Sequence, residues 1–225
     1  TCDALNDEAV NKLRSRKYRE GKPFAVMFRD LAAAEKHVSV NKEEKELLLS
    51  WRRPIVILKN KGKGYNLAPS VSNGFDTTGA MLPYMPFHHL LFENLETDAI
   101  VLTSGNLSDE PVIISNDEAL DRLNKVSDAA ITYNREIHNR ADDPVAFVVN
   151  SKPRLIRRSR GYAPNPVRTG SNVEGIFAAG AELVNCFAIG KGNQAILSQH
   201  IGDLQNLETF EFYRASAERF RRLFR

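Results

Sequence analysis

The feature that most constrains this chain is the interleaving of short apolar runs with capped helical segments. "FAVMF" (24–28), "PIVILK" (54–59) and "DAIVLT" (98–103) are four to six residues of β-branched or bulky apolar side chains, bounded by polar turns. Apolar, β-branched runs of that length predict strands, with 24–28 and 98–103 buried. Between them lie segments with helix start signals. Asn6 is positioned to cap a helix to Arg16, Asp30 one over "LAAAEKH", and Asn41 one over "KEEKELLLS", where Glu44 completes a capping box. Strands alternating with helices predict an α/β domain.

The remaining elements follow the same rules. Residues 60–80 are rich in Gly, Ser, Asn and Thr and read as a long loop. "HHLLFENL" reads as a short helix, and its adjacent His88 and His89 diverge by about 100°, a poor metal pair. Asn116 is placed to cap a helix through Lys125, and "AAITYN" reads as a strand. "VAFVVN" and "RLIRRSR" read as a hairpin around Asn150-Ser151-Lys152-Pro153. "GYAPNPVRTGSN" then holds two prolines and two glycines in twelve residues and reads as a linker. Short strands follow at about 175–179, 184–189 and 194–198. A closing amphipathic helix starts near Leu207, with Leu207, Phe210, Ala217, Phe220 and Leu223 on its expected inner face.

Charge is concentrated rather than global. The net charge of the 225 residues is only +3, yet Arg14, Arg16, Lys17, Arg19 and Lys22 fall within nine residues, opposed only by Glu20. Cations in the turn before a strand suit phosphate groups, and Gly21 allows a close backbone approach. A solvated helix end complementing its dipole is the plainer alternative. "LTSGNLSDEP" ends a buried strand in small hydrogen-bonding residues, where α/β sheets commonly bind ligands, although an ordinary turn has the same composition. In "RRSRGYAP", strand alternation places Arg158 and Arg160 on one face and Arg157 on the other. Asp142 and Asp143 in "HNRADDP" suit a metal or, more simply, ion pairs with these arginines. The two cysteines, Cys2 and Cys186, are far apart and form no CxxC pair. No apolar run reaches membrane-spanning length, and a cytoplasmic setting without membrane contact is the default expectation. Neither the P-loop nor the GxGxxG pattern occurs. The residues alone therefore point to a phosphate-rich ligand, either a nucleotide or RNA.

These stretches, in this order, resemble the YrdC/Sua5 family. "KYREGKPFA" resembles its K-x-R…KP segment and "LTSGNLSDEP" its Thr-Ser-(Ala/Gly)-Asn-x-Ser segment. "LRSRKYREGKPFAVM", "MLPYMPFHHLL", "HNRADDPV" and "RRSRGYAP" resemble more closely the YrdC-like domain of HypF carbamoyltransferases. "AAGAELVNCFAIGKGNQAILSQHIGDLQNLETFEFY" resembles the start of their Kae1-like domain, of the actin/Hsp70 type. The resemblance implies a twisted mixed sheet with flanking helices over 1–164, a linker over 165–174 and a partial Kae1-like segment over 175–225. It also implies a piece of a larger enzyme whose acylphosphatase and zinc modules, and a first strand before Thr1, lie elsewhere.

By this resemblance the domain joins carbamate, derived from carbamoyl phosphate, to ATP with Mg2+, giving carbamoyl-adenylate and pyrophosphate. The carbamoyl group then passes to a cysteine of a HypE-type acceptor protein in [NiFe]-hydrogenase maturation. Lys17 and Arg19 would hold the ATP phosphates and stabilise the departing pyrophosphate, with Lys22 beside them. Thr103, Ser104 and Asn106 would position the α-phosphate or the carbamoyl group. Arg158 and Arg160 would clamp the phosphates from the other side. Three positions depart from the HypF pattern: Met85 within Tyr84-Met85-Pro86, Pro144 after Asp143, and Val184 where that pattern has lysine. An O-carbamoyltransferase of the antibiotic-tailoring or nodulation type, and a double-stranded RNA or tRNA-binding module, are the alternative readings.

Overall fold

The computed structural model describes residues 1–62, 65–107 and 110–224. By contact density the chain divides into two units: residues 1–104, 124–129 and 144–156 form the first, and 105–123, 130–143 and 157–225 the second.

The first unit is built on a mixed sheet. In chain order its elements are β1 (Cys2–Asp3), α1 (Asp7–Arg16), β2 (Ala25–Phe28), α2 (Leu31–His37), α3 (Lys42–Leu49), β3 (Ile55–Lys59), α4 (Pro69–Ser72), β4 (Thr77–Met81), α5 (Pro86–Glu93) and β5 (Ala99–Leu102). The second unit's α6 (Asn116–Arg122) comes next, and then the hairpin strands β6 (Val145–Val149) and β7 (Lys152–Arg157). Among the described residues the strand order is β1-β5-β2-β4-β3-β6-β7. β2 runs parallel to β4 and antiparallel to β5, with Ala25 opposite both Gly79 and Leu102.

The uninterrupted apolar runs are explained by burial on both faces. Val26 and Phe28 join Val56, Leu58, Ala80, Ala99 and Val101 on one face, under Val10 and Leu13 of α1, Ala33 and Ala34 of α2 and Leu48 of α3. Met27, one residue out of phase, packs with Met81, Ile100 and Phe92 of α5 on the other. The helix starts match the sequence: Asn6 caps α1, Asp30 caps α2, and Asn41 with Glu44 forms a reciprocal capping box on α3. The β6–β7 turn carries positive φ at both Asn150 (50°) and Ser151 (56°), which suits the twist of a two-residue hairpin loop.

The segment 60–80 is not one loop, because it contains α4 and β4. The strand was concealed by polar composition: Thr78 is buried and satisfies its hydroxyl by donating to Asn60 Oδ1 at 2.7 Å. "AAITYN" forms no strand. Ile131 and Tyr133 are exposed, and β propensity without a neighbouring ladder does not make a strand. The helix expected from Asn116 to Lys125 ends at Arg122, and Ser115 is its cap.

The second unit contains a four-stranded antiparallel sheet ordered β8 (Pro166–Arg168), β11 (Gln194–Leu197), β10 (Ala188–Lys191) and β9 (Phe177–Ala178), with α7 (Leu207–Leu223). β8 thus lies within the stretch that reads as a linker. Its core gathers Phe187, Ile196, Ile201, Phe212 and Phe220. Gly190 is required there, since a Cβ would overlap the carbonyl oxygen of Val173. The inner face of α7 is only in part the expected one: Phe220 is buried and Ala217 packs against the core, as expected. Thr209, Phe212, Ser216 and Phe220 are buried, whereas Leu207, Phe210 and Leu223 are 65%, 45% and 65% exposed. The helix carries apolar residues on more than one arc, and packing decides which arc is covered.

Candidate functional site

In the first unit the basic run is sorted by its partners. Arg16 leaves the end of α1 to pair with Asp128 at 2.8 Å, beside Lys12. Arg14 turns the other way and donates to the carbonyls of Arg19 (2.8 Å), Lys22 (3.0 Å) and Ser70 (2.6 Å). Its guanidinium also stands 4.8 Å from the centre of the buried Phe24 ring, and that of Arg19 4.9 Å from the same ring. Arg19 donates to Pro23 O at 2.8 Å. Arg14 therefore folds residues 19–23 back over Phe24, and Gly21, at φ +51°, makes the bend. In the sequence Arg14 is one more cation of the run. The available signal was its place one helical turn before Lys17, next to the bend.

Lys17 is the exceptional member. It is 4% exposed, and its ammonium donates to Ser104 O at 2.8 Å. Burial, reinforced by the charge of Arg19, pulls its pKa down to about 8. The lysine thus reaches from the end of α1 to the second residue beyond β5, because β5 ends where β2 begins. Thr103 is half-buried and Ser104 exposed at that same sheet end. Lys17, Arg19, Lys22, Thr103 and Ser104 all belong to the first unit, with Lys17 and Ser104 in contact. Ser108, which completes the Thr-Ser-Gly-Asn-x-Ser pattern, lies outside the described residues.

The other candidates belong to the second unit. Asn106 donates to Glu110 O at 2.6 Å, closing its own loop. β7 ends at Arg157, so strand alternation does not govern Arg158 and Arg160. Arg158 donates to Tyr162 O (3.0 Å) and Asn165 O (2.7 Å). Arg160 donates twice to Asp143 Oδ1, at 3.1 and 2.9 Å. Asp143 is thus in an ion pair, and Asp142 faces His200 at 3.9 Å. Among the described residues no group of three or more His, Cys, Asp or Glu is arranged to hold a metal. No described helix is long and apolar enough to cross a membrane. His88 is buried against Tyr84 while His89 is exposed, consistent with their divergence on a helix.

Comparison with known proteins gives this geometry a context. The Sua5/YciO/YrdC family, described as telomere recombination, matches residues 1–159, and the HypF Kae1-like domain matches residues 171–225. A carbamoyltransferase HypF of Rhizobium leguminosarum bv. viciae is 42% identical over 219 residues, covering 95% of this chain and 29% of the relative. A crystal structure described as full-length HypF in the phosphate- and nucleotide-bound form is 47% identical, with a TM-score of 0.94 over 99% of this chain and 29% of that one. The HypF of T. kodakarensis is 40% identical, with a TM-score of 0.95 over all of this chain and 29% of that one. The chain therefore spans under a third of the length of the HypF proteins it matches. With its first 159 residues matched to one family and its last 55 to the HypF Kae1-like domain, the chain belongs to the Sua5/YciO/YrdC family, in the combination found in HypF carbamoyltransferases.

Proposed function

We propose that this chain is the adenylate-forming part of a HypF-type carbamoyltransferase. It would bind ATP, with Mg2+ carried on the phosphates, and join it to carbamate derived from carbamoyl phosphate. The products are carbamoyl-adenylate and pyrophosphate, and the carbamoyl group goes on to the cysteine of a HypE-type acceptor protein in the cytoplasm. The observation that carries the reading is Lys17. A lysine amine buried at a strand end and held against Ser104 O is pre-placed, so little side-chain freedom is lost when a phosphate arrives. The nucleotide-bound form of a relative 47% identical to this chain supports the same ligand class.

The roles follow from the chemistry of the side chains. The Lys17 ammonium would take a non-bridging phosphate oxygen and offset charge developing on the departing pyrophosphate. Arg19 and Lys22, held on the turn that Arg14 folds, would extend the positive surface along the polyphosphate tail. The Thr103 and Ser104 hydroxyls, with the Asn106 amide, would orient the α-phosphate or the carbamoyl group. Arg158 and Arg160 would be further phosphate-binding residues. The division into residues 1–164, 165–174 and 175–225 belongs to this proposal.

Calorimetric titration of Mg-ATP into the 225-residue chain tests it, beside Lys17→Ala and Lys45→Ala, the latter at an exposed site on α3. The expected result is saturable binding that Lys17→Ala weakens on the order of 10–100-fold and Lys45→Ala leaves in place. Equal losses in both variants would remove Lys17 from the site. Salt-sensitive binding of duplex RNA in place of ATP would favour an RNA-binding role.

A further inference from the structure

The loop that carries Arg158 and Arg160, at and just beyond the end of the Sua5/YciO/YrdC match, meets one residue of the HypF Kae1-like match. Beyond β11, Ser198 accepts from Phe187 N (3.1 Å) and donates to Gln199 O (2.8 Å). Gln199 in turn donates to Ser216 Oγ of α7 at 3.3 Å. All three polar side chains are buried, so this run is tied firmly to the core around Phe187.

The next residue, His200, leaves that core and meets the arginine loop from two directions. Its backbone N–H donates to Arg158 O at 2.9 Å. Its ring Nε2 stands 3.9 Å from Asp142 Oδ2, and the Asp142 carbonyl accepts from Arg160 N at 3.2 Å. Ser159, between the two arginines, is fully buried. His200 therefore bonds one side of the loop through its backbone N–H and lays its neutral ring beside Asp142, whose carbonyl holds the other side.

We propose that His200 is a positioning residue that fixes the Arg158–Arg160 loop, making the placement of these arginines depend on the Kae1-like segment. The charged groups facing the ring are Arg157, Asp142 and Asp203. Burial and then the Arg157 charge lower the His200 pKa, outweighing the two aspartates, so the ring is neutral at pH 7. It acts by shape and polarity rather than as a cation. Only the link from this loop to ATP rests on the function proposed above.

The test compares His200→Ala and His200→Gln in the full 225-residue chain by amide hydrogen exchange and Mg-ATP titration. Glutamine keeps a neutral polar side chain of similar reach beside Asp142. In His200→Ala, the amides of Arg160, Tyr162 and Ala163 should exchange about tenfold faster while those of β2, β4 and β5 do not change. The ATP dissociation constant should rise about fivefold. His200→Gln should restore both. Unchanged exchange at residues 160–163, or loss spread evenly over the second unit, overturns the positioning role. Faster loop exchange with unchanged ATP affinity overturns the link to the nucleotide. A wild-type chain that binds no ATP defeats the function proposed above, and the exchange data still decide the role of His200.

Discussion

The two basic clusters look alike in the sequence and are built differently. In the first, Arg14 spends its guanidinium on three backbone carbonyls and a ring face, which shape the turn without cancelling its charge. In the second, Arg160 donates twice to the carboxylate of Asp143. Carbonyl bonds leave an arginine's charge uncancelled, whereas a carboxylate offsets it. Arg158 of the second cluster is of the first kind, and Arg16 of the first cluster, paired with Asp128, is of the second. The depressed pKa of Lys17 fits that contrast, since burial and the Arg19 charge both act against its ammonium. An anion arriving at the first cluster would relieve that cost. At the second it would compete with Asp143.

Arg14→Ala should have the largest effect. It removes bonds to the Arg19, Lys22 and Ser70 carbonyls together with the contact over Phe24. The expected loss is about 2–4 kcal/mol of stability, read by urea denaturation, with ATP binding weakened in parallel. Loss of ATP binding at unchanged stability would mean that Arg14 touches the ligand rather than shaping the turn.

Next comes the pH response of Lys17. Its folded pKa of about 8 lies below the ordinary 10.5, so its charge is lost as pH rises through 8. Mg-ATP affinity should therefore fall about tenfold between pH 7 and pH 9, and Lys17→Arg should flatten that fall because arginine stays protonated. Stability moves the opposite way. From about pH 8 to 10.5 the unfolded chain holds the Lys17 proton and the folded chain does not, so this residue's contribution to stability rises with pH across that window. ATP affinity constant over pH 7–9 would detach Lys17 from the phosphates.

Asp143→Asn sharpens the other side of the comparison. It removes the charge opposite Arg160 while keeping a side chain of the same shape. The pair is roughly one-quarter exposed on both sides, so the expected cost is about 1 kcal/mol or less, read as a lower thermal midpoint. ATP affinity should hold or improve, because the carboxylate charge that competes with an anion is removed. A drop in affinity would make the Asp143 carboxylate itself part of the site.

How far the sequence foretold these features depended on whether the signal was local. Caps at Asn6, Asp30 and Asn41, and the buried strand within "FAVMF", are set by a few adjacent residues and stand as expected. β4 went unrecognised because its polar Thr78 is satisfied by Asn60, eighteen residues away. The covered arc of α7 depends on the position of Phe187. The site shows the same division. The cationic run and the Ser-Gly-Asn turn were legible, and the resemblance ordered them. That Lys17 is the buried member, that Arg14 makes the turn and that Arg160 lies on Asp143 are long-range facts.

The smallest expected effect concerns Val184, where the HypF pattern has lysine. Val184 sits at φ +52° and is 62% exposed, so a β-branched residue occupies the left-handed region with little packing in return. The bend is imposed by its neighbours. Val184 N donates to Asp203 Oδ1 at 2.7 Å, and Asn185 is buried, donating to the Ala179 and Ala181 carbonyls. Glycine adopts that backbone freely but gives up more freedom on folding, so Val184→Gly should stabilise by about 0.5–1 kcal/mol net. Val184→Lys removes only the β-branching and should gain less. Both are read as denaturation midpoints, with ATP affinity unchanged because the exposed Val184 side chain is not among the residues proposed to contact the nucleotide. A loss of stability in the glycine variant would show that the exposed valine side chain makes a contact that outweighs the backbone strain.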